Sequence, residues 1–179
     1  MKKNDNIRSN QKGITMIALT ITIILLFILS GIAVYSGKDT IRRANLEELK
    51  TNMLLIQTKA KEYIENASFQ LGVNPGDDKW TKAEEYLQGE DKGTKVESGG
   101  EMATTLINIG IKSEDIQTGK VYQLSTSNLE KMGINNVQSD SENGYYIIVY
   151  DLDNTTAEIY NTIGYDNKYS LTDIERIEI

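Results

Sequence analysis

Residues 12–35, KGITMIALTITIILLFILSGIAVY, are the stretch from which the rest of the chain is read. No charged residue lies between Lys12 and Lys38. Taken as helix, residues 14–37 rise about 36 Å at ~1.5 Å per residue. A bilayer hydrocarbon core is about 30 Å thick, so the segment is long enough to span with some tilt. Thr15, Thr20, Thr22 and Ser30 interrupt the Ile/Leu pattern. Their small hydroxyls can bond back to the helix backbone, which lets lipid tolerate them.

Three readings of this segment compete. The first is an uncleaved single-pass anchor. The second is a secretory signal peptide cut after a small residue such as Ala33, although the apolar run exceeds the usual ~7–15 residues of such peptides. The third turns on the edge at Gly13. A short basic leader ends in Lys12-Gly13, and the apolar helix starts at once. A cut there precedes the apolar run, so the helix stays with the mature protein.

That edge resembles the prepilin leader of type IV pilins and type II secretion pseudopilins. The matching residues are Lys12, Gly13 as the last leader residue, Ile14 as the first mature residue, and Thr15, Met16 and Ile17 after it. Leu19, Ile21, Ile23, Ile24, Leu25 and Leu26 continue the apolar pattern, and the stretch closely resembles Gram-positive members that read GITLIAL. The resemblance covers about the first third of the chain. It implies cleavage after Gly13 by a prepilin peptidase, methylation of the new N-terminus, and assembly through the helix that carries Thr15, Met16, Ile17, Ala18 and Leu19. One departure stands out. The family usually has Glu at the fifth mature position, where it is thought to pair with a neighbouring subunit's terminal amine. Here that position is Ala18. An unpaired carboxylate is costly in lipid, so Ala18 eases insertion while removing that assembly contact.

Charge is distributed unevenly. Residues before Gly13 include Lys2, Lys3, Arg8 and Lys12 against Asp5 alone. Taking those four from 19 basic residues, and Asp5 from 26 acidic ones, leaves 15 against 25, all from Lys38 onward. A basic flank before the run and an acidic part after it place the N-terminus in the cytoplasm by the positive-inside rule. An acidic distal part also argues against nucleic acid as a partner, because such binding neutralises phosphates.

The chain has neither Cys nor His. Disulfides, thiol nucleophiles, Ser–His triads and His-based zinc sites are therefore excluded. Carboxylate, Lys or Tyr catalysis is not excluded by composition, but nothing in the pattern points to it.

After Lys38 the helix is expected to continue to Leu71. Leu46, Leu49, Met53, Ile56, Ala60, Tyr63 and Ala67 alternate three and four apart, which is a heptad stripe. Gly72 and Pro75, the only proline, end it. Helix from Ile14 to Leu71 would be about 87 Å long. Gly31 and Gly37 are soft points, each costing roughly 1 kcal/mol of propensity relative to Ala. Three heptads are few for a coiled coil, so the stripe is read as the cover of the chain's own sheet.

Beyond that, residues 73–100 are turn-rich, with Asn74-Pro75-Gly76 and a short helix over Ala83, Tyr86 and Leu87 capped by Thr81 and Glu84. Residues 90–100 read as an exposed loop. Residues 101–109 form a helix with Met102, Leu106 and Ile109 on one face, closed by Gly110. Residues 120–124 are a short strand. Ser127 and Glu130 cap a third helix that ends at Gly133. YYIIVY at residues 145–150 is apolar on both faces, which marks a central strand. Residues 157–163 return as a hairpin, and residues 164–168 turn again. Ser170 and Asp173 cap a last helical turn near Ile174 and Ile177. Two or three further strands are expected.

The turn at Asp151, Asp153 and Asn154 admits a calcium reading, since alternating Asp/Asn can present oxygens to a hard cation. An EF-hand pattern would need Gly and Glu where Thr156 and Thr162 stand. The alternative is an Asx-stabilised hairpin turn. Gly99-Gly100 has no P-loop spacing or companion Lys. The ten Tyr residues read mostly as half-buried sheet residues.

The fold expected is α+β: a long N-terminal helix, spanning a membrane and then acting as a stalk, packed on a small antiparallel sheet. Its parts are a leader at 1–13, a transmembrane helix at 14–37, a stalk at 38–72 and an extracytoplasmic domain at 73–179. No cofactor or metal is expected. The partners implied are the membrane, a prepilin peptidase and other pilin-like subunits. The rival reading is an uncleaved single-pass anchor that presents an extracellular binding module.

Overall fold

One helix, α1 (Asp5–Leu71), carries both the apolar run and the heptad stripe. The structure is a computed structural model that describes residues 5–71, 80–87, 89 and 91–178. The side chains of residues 5–18, 20, 28–38, 71, 80, 81 and 84 lie outside that description. The turn expected at Asn74-Pro75-Gly76 also falls outside the described residues. Gly31 and Gly37 do not interrupt α1. The chain divides into two compact units, Met1–Asn45 and Leu46–Ile179. The described part of the first is helix alone.

The second unit is α+β. After α1 come α2 (Trp80–Leu87), β1 (Thr94–Lys95), α3 (Glu101–Asn108), α4 (Ser113–Gln117), β2 (Val121–Leu124), α5 (Thr126–Lys131), β3 (Tyr146–Asp151), β4 (Thr156–Tyr165), β5 (Lys168–Ser170) and α6 (Leu171–Glu175). The strands form one five-stranded sheet in sequential order, with every pair antiparallel. β3 sits in the middle, as its two-sided apolar character requires.

Alternation along the strands sorts the core into two layers. Tyr122, Leu124, Tyr146, Ile148, Tyr150, Ala157 and Ile159 face one way and pack with Leu46, Met53, Ile56, Ala60, Ile64 and Ala67 of α1. Val121 and Ile147 face the other way and pack with Ala103, Leu106, Ile111 and Ile116 of α3, α4 and the connection between them. The α1 stripe thus covers the chain's own sheet. Its phase differs from the expected heptad at one place. Ile64 is fully buried, while Tyr63 is only partly so. A straight α-helix drifts against a 3.5-residue repeat, so contact with a sheet follows 3.6 instead. Polar ties fix the docking. Gln57 Nε2 donates to the Ala157 carbonyl at 2.9 Å, and Lys50 Nζ donates to the Ile177 carbonyl at 3.2 Å.

Several local expectations need correcting. Thr81 is not the cap of α2, because the helix already includes Trp80. Ala83 and Leu87, four apart and both buried, set its phase, and Tyr86 is left exposed. Residues 90–100 are not all loop. β1 pairs with β2, and Val96 beside it is buried. Gly93 leads into β1 at φ 95°, where a Cβ would lie 2.7 Å from the Gln123 carbonyl oxygen. α5 is capped by Ser125 rather than Ser127. The Ser125 hydroxyl accepts the Asn128 N–H at 3.2 Å, and Asn128 Oδ1 accepts the Ser125 N–H at 2.8 Å. Asn here takes the role that the capping box gives to Glu or Gln. The helix α4 has no counterpart in the sequence reading.

β4 also runs further than expected. Gly164 lies within it, and the turn to β5 falls at Asp166 and Asn167, both at positive φ, 46° and 59°. Two successive left-handed residues make the type I′ hairpin turn, which Asp and Asn tolerate. Between Tyr160 and Tyr165 the β4–β5 register breaks in a bulge. The buried Asn161 fills it, its Oδ1 accepting N–H groups from Ile163 at 3.0 Å and Gly164 at 2.9 Å. The last helical turn is as expected: the Ser170 hydroxyl accepts the Asp173 N–H at 3.1 Å.

Candidate functional site

Residues 12–18 are consecutive positions of α1, so Lys12, Gly13, Ile14, Thr15, Met16, Ile17 and Ala18 all have helical backbone. Their side chains lie outside the described residues. Leu19 is the first of the segment whose side chain is described, and it is exposed. So are Ile21, Ile23, Ile24, Leu25, Leu26 and Phe27, at 44 to 74 %. At 3.6 residues per turn, the five consecutive side chains of residues 23–27 point around the whole circumference. A helix that is apolar all round must be covered, by lipid or by other protein. Thr22 fits such cover. Its hydroxyl donates to the Leu19 carbonyl at 2.8 Å and needs no outside acceptor. Among the described residues no helix is long and apolar enough to cross a membrane. The described side chains hold only the middle of the apolar run.

The second unit has its own concave feature, a depression of about 450 Å³ where the β3–β4 hairpin ends. Lys61, Lys112 and Lys120 line it together with Asp115, Asp151, Glu158, Gln57 and Tyr160. The charges balance, so the site favours neither an anion nor a cation. Asp151 is engaged by its own turn: Oδ1 accepts the Asn154 N–H at 3.1 Å and Oδ2 accepts Asn154 Nδ2 at 2.7 Å. Partial burial pushes its carboxyl up, but these Asn154 bonds and the Lys120 charge outweigh that. Asp151 ends below the ordinary carboxylate range. The Asx-turn reading of residues 151–155 therefore has direct contacts behind it. Among the described residues no three acidic side chains gather as a metal-holding group.

A tyrosine cluster lies between α1 and the sheet. The Tyr122 and Tyr150 rings meet edge to face, with centroids 5.4 Å apart at 76°. Tyr63 bonds through its hydroxyl to Asp91, and Lys92 Nζ sits 5.5 Å from the centre of its ring. Burial first, then the Asp91 charge and bond, raise the Tyr63 phenol far above its ordinary value. Burial does the same to Tyr150, which is fully buried. These groups tie the segment around residues 91–93 to α1. Tyr145, just before β3, and the strand residues Tyr160, Tyr165 and Tyr169 are half-buried as expected, whereas Tyr122, Tyr146 and Tyr150 are core.

Neither the depression nor the tyrosine cluster was legible beforehand. The depression draws on α1, the stretch from Gly110 to Lys120 and the β3–β4 hairpin, the tyrosine cluster on α1, Asp91, Lys92, β2 and β3, and no local spacing links those segments. Comparison with protein-family models, curated proteins and solved structures returned no match.

Proposed function

We propose that the protein is a non-enzymatic, pilin-like structural subunit of a surface or secretion filament. In this reading a prepilin peptidase cuts after Gly13, and the subunit assembles with other pilin-like subunits through the helix beginning at Ile14. The observation that carries it is the Lys12-Gly13 pair set directly before an apolar run. Two features support it. The described part of that run is exposed on every side. The later part of the same helix, from Leu46, covers an antiparallel sheet. Before assembly the apolar side chains lie in lipid, with the leader in the cytoplasm and the sheet domain outside. After assembly, equivalent helices of neighbouring subunits replace the lipid.

Ala18 favours a second reading, since it lacks the carboxylate expected to lock such subunits together. That reading is an uncleaved anchor whose sheet domain binds an extracellular ligand. N-terminal sequencing of protein extracted from membranes of cells with active prepilin peptidase separates the two. The first reading requires a chain starting at Ile14, with a methylated amine, and requires Gly13→Asp to block that processing. An intact Met1 in those cells sinks it. Shearing the cells tests assembly separately: a subunit of a surface fibre leaves with the sheared material.

A further inference from the structure

Charge changes sign just after the apolar run. From Leu46 onward, 12 basic residues stand against 24 acidic ones, since seven basic residues and two acidic ones precede it among totals of 19 and 26. Residues 38–45 reverse that balance, with Lys38, Arg42 and Arg43 against Asp39. Every described side chain from Asp39 to Asn45 is exposed. This segment lies wholly in the first unit, as does the apolar run. A basic turn here also weakens the positive-inside asymmetry, because Lys/Arg on the translocated side counts against it.

We infer that the turn around Arg42 and Arg43 is a binding collar for anionic lipid headgroups at the membrane face where the helix emerges. This rests on the membrane-embedding part of the proposed function. Residues 14–37, tilted across an apolar core about 30 Å thick, bring Lys38 to its far edge. Arg42 and Arg43 then follow about 8–9 Å beyond Gly37 along the helix, at the level of the headgroups. Side chains on a helix lean toward its N-terminus, here toward the bilayer. Long Arg side chains extend that reach, with their stems against apolar surface and their guanidinium groups at phosphates. Ile41, 62 % exposed and next to Arg42, adds an apolar contact at the same level. The acidic remainder of the chain would be repelled by the same lipids, so the attraction is confined to this turn.

The test uses the full chain reconstituted in phosphatidylcholine vesicles with a minor share of phosphatidylglycerol. Electron paramagnetic resonance of acyl-chain spin-labelled phosphatidylglycerol and phosphatidylcholine reads which lipid is motionally restricted at the protein. The collar requires selection of phosphatidylglycerol that drops at least about twofold in Arg42→Gln/Arg43→Gln and recovers in Arg42→Lys/Arg43→Lys. It must also survive neutralising the leader with Lys2→Gln/Lys3→Gln/Arg8→Gln/Lys12→Gln. Unchanged selectivity in the Arg-to-Gln variant, or selectivity lost only with the leader charges, overturns the collar. If no restricted lipid of either kind appears, the membrane-embedded reading itself fails.

Discussion

Tyr150 stands in β3 with its ring against Tyr122, and its hydroxyl is buried with no hydrogen-bond partner among the described residues. A buried donor without a partner has lost its hydration and gained nothing in return. Tyr150→Phe removes the group and keeps the ring. The variant should unfold at the same or slightly higher urea concentration, a gain of about 0–1 kcal/mol. A loss above that range would show that the hydroxyl is engaged. Tyr146 is the contrast. Its hydroxyl bonds with the Asn52 side chain, so Tyr146→Phe should cost about 1 kcal/mol. The tyrosines also set an alkaline limit. Burial raises Tyr63, Tyr146, Tyr150 and Tyr160 above the ordinary phenol value of 10.0. The folded state therefore holds these protons more tightly than the unfolded one. Their contribution is fully present below pH 10 and is lost as pH rises beyond it. Absorbance at 295 nm should show these four ionising only together with unfolding, read in parallel by circular dichroism. Full ionisation of the tyrosines while the fold is intact would contradict the burial.

At the scale of elements, α1 beyond Leu46 has one face in the core and one in solvent, so adjacent residues should behave differently. Ile56 is fully buried, and Ile56→Ala should cost about 2–5 kcal/mol. Leu55 is 49 % exposed, and Leu55→Ala should stay within about 0.5 kcal/mol of wild type. Equal effects in chemical denaturation would mean that the stripe is misplaced. The same contrast explains which elements could be read from sequence. β3 was legible because its apolar residues face two cores at once, and that needs an unbroken apolar run. The helix stripe was legible because a long amphipathic helix repeats its own period, and only the drift to Ile64 escaped the heptad. β1 was not legible. Thr94 and Lys95 carry no strand signal, and their pairing comes from β2, more than twenty residues away. α5 was misplaced by two residues because an Asn completed the capping box where a Glu was expected. The Lys12-Gly13 edge, on which the proposed processing rests, is visible in the sequence because its signal is local. The depression at the β3–β4 end could not, since it exists only after three separate segments have met.

For the whole molecule, the decisive question is which part of the chain folds without lipid or neighbouring subunits. The unit Leu46–Ile179 contains all five strands and both hydrophobic layers, and no core residue among the described ones precedes Leu46. The described apolar side chains before it are exposed instead. A fragment comprising residues 39–179 keeps the whole core-forming part of α1 and starts at Asp39, a residue type that favours helix N-termini. It drops the entire apolar run. This fragment should be monomeric in aqueous buffer and show mixed helix and sheet by circular dichroism. It should unfold cooperatively with a free energy in the ordinary range of about 5–15 kcal/mol. Ile56→Ala should destabilise it as predicted above. The full chain should stay dispersed only in detergent or lipid, since exposed residues such as Leu26 and Phe27 would otherwise associate. Light scattering coupled to gel filtration, with urea unfolding of the fragment, reads both halves of this expectation. A fragment that aggregates or melts without cooperativity would mean that the apolar segment takes part in folding the sheet domain. The proposed division of labour between an assembly helix and an independently folded domain would then fail.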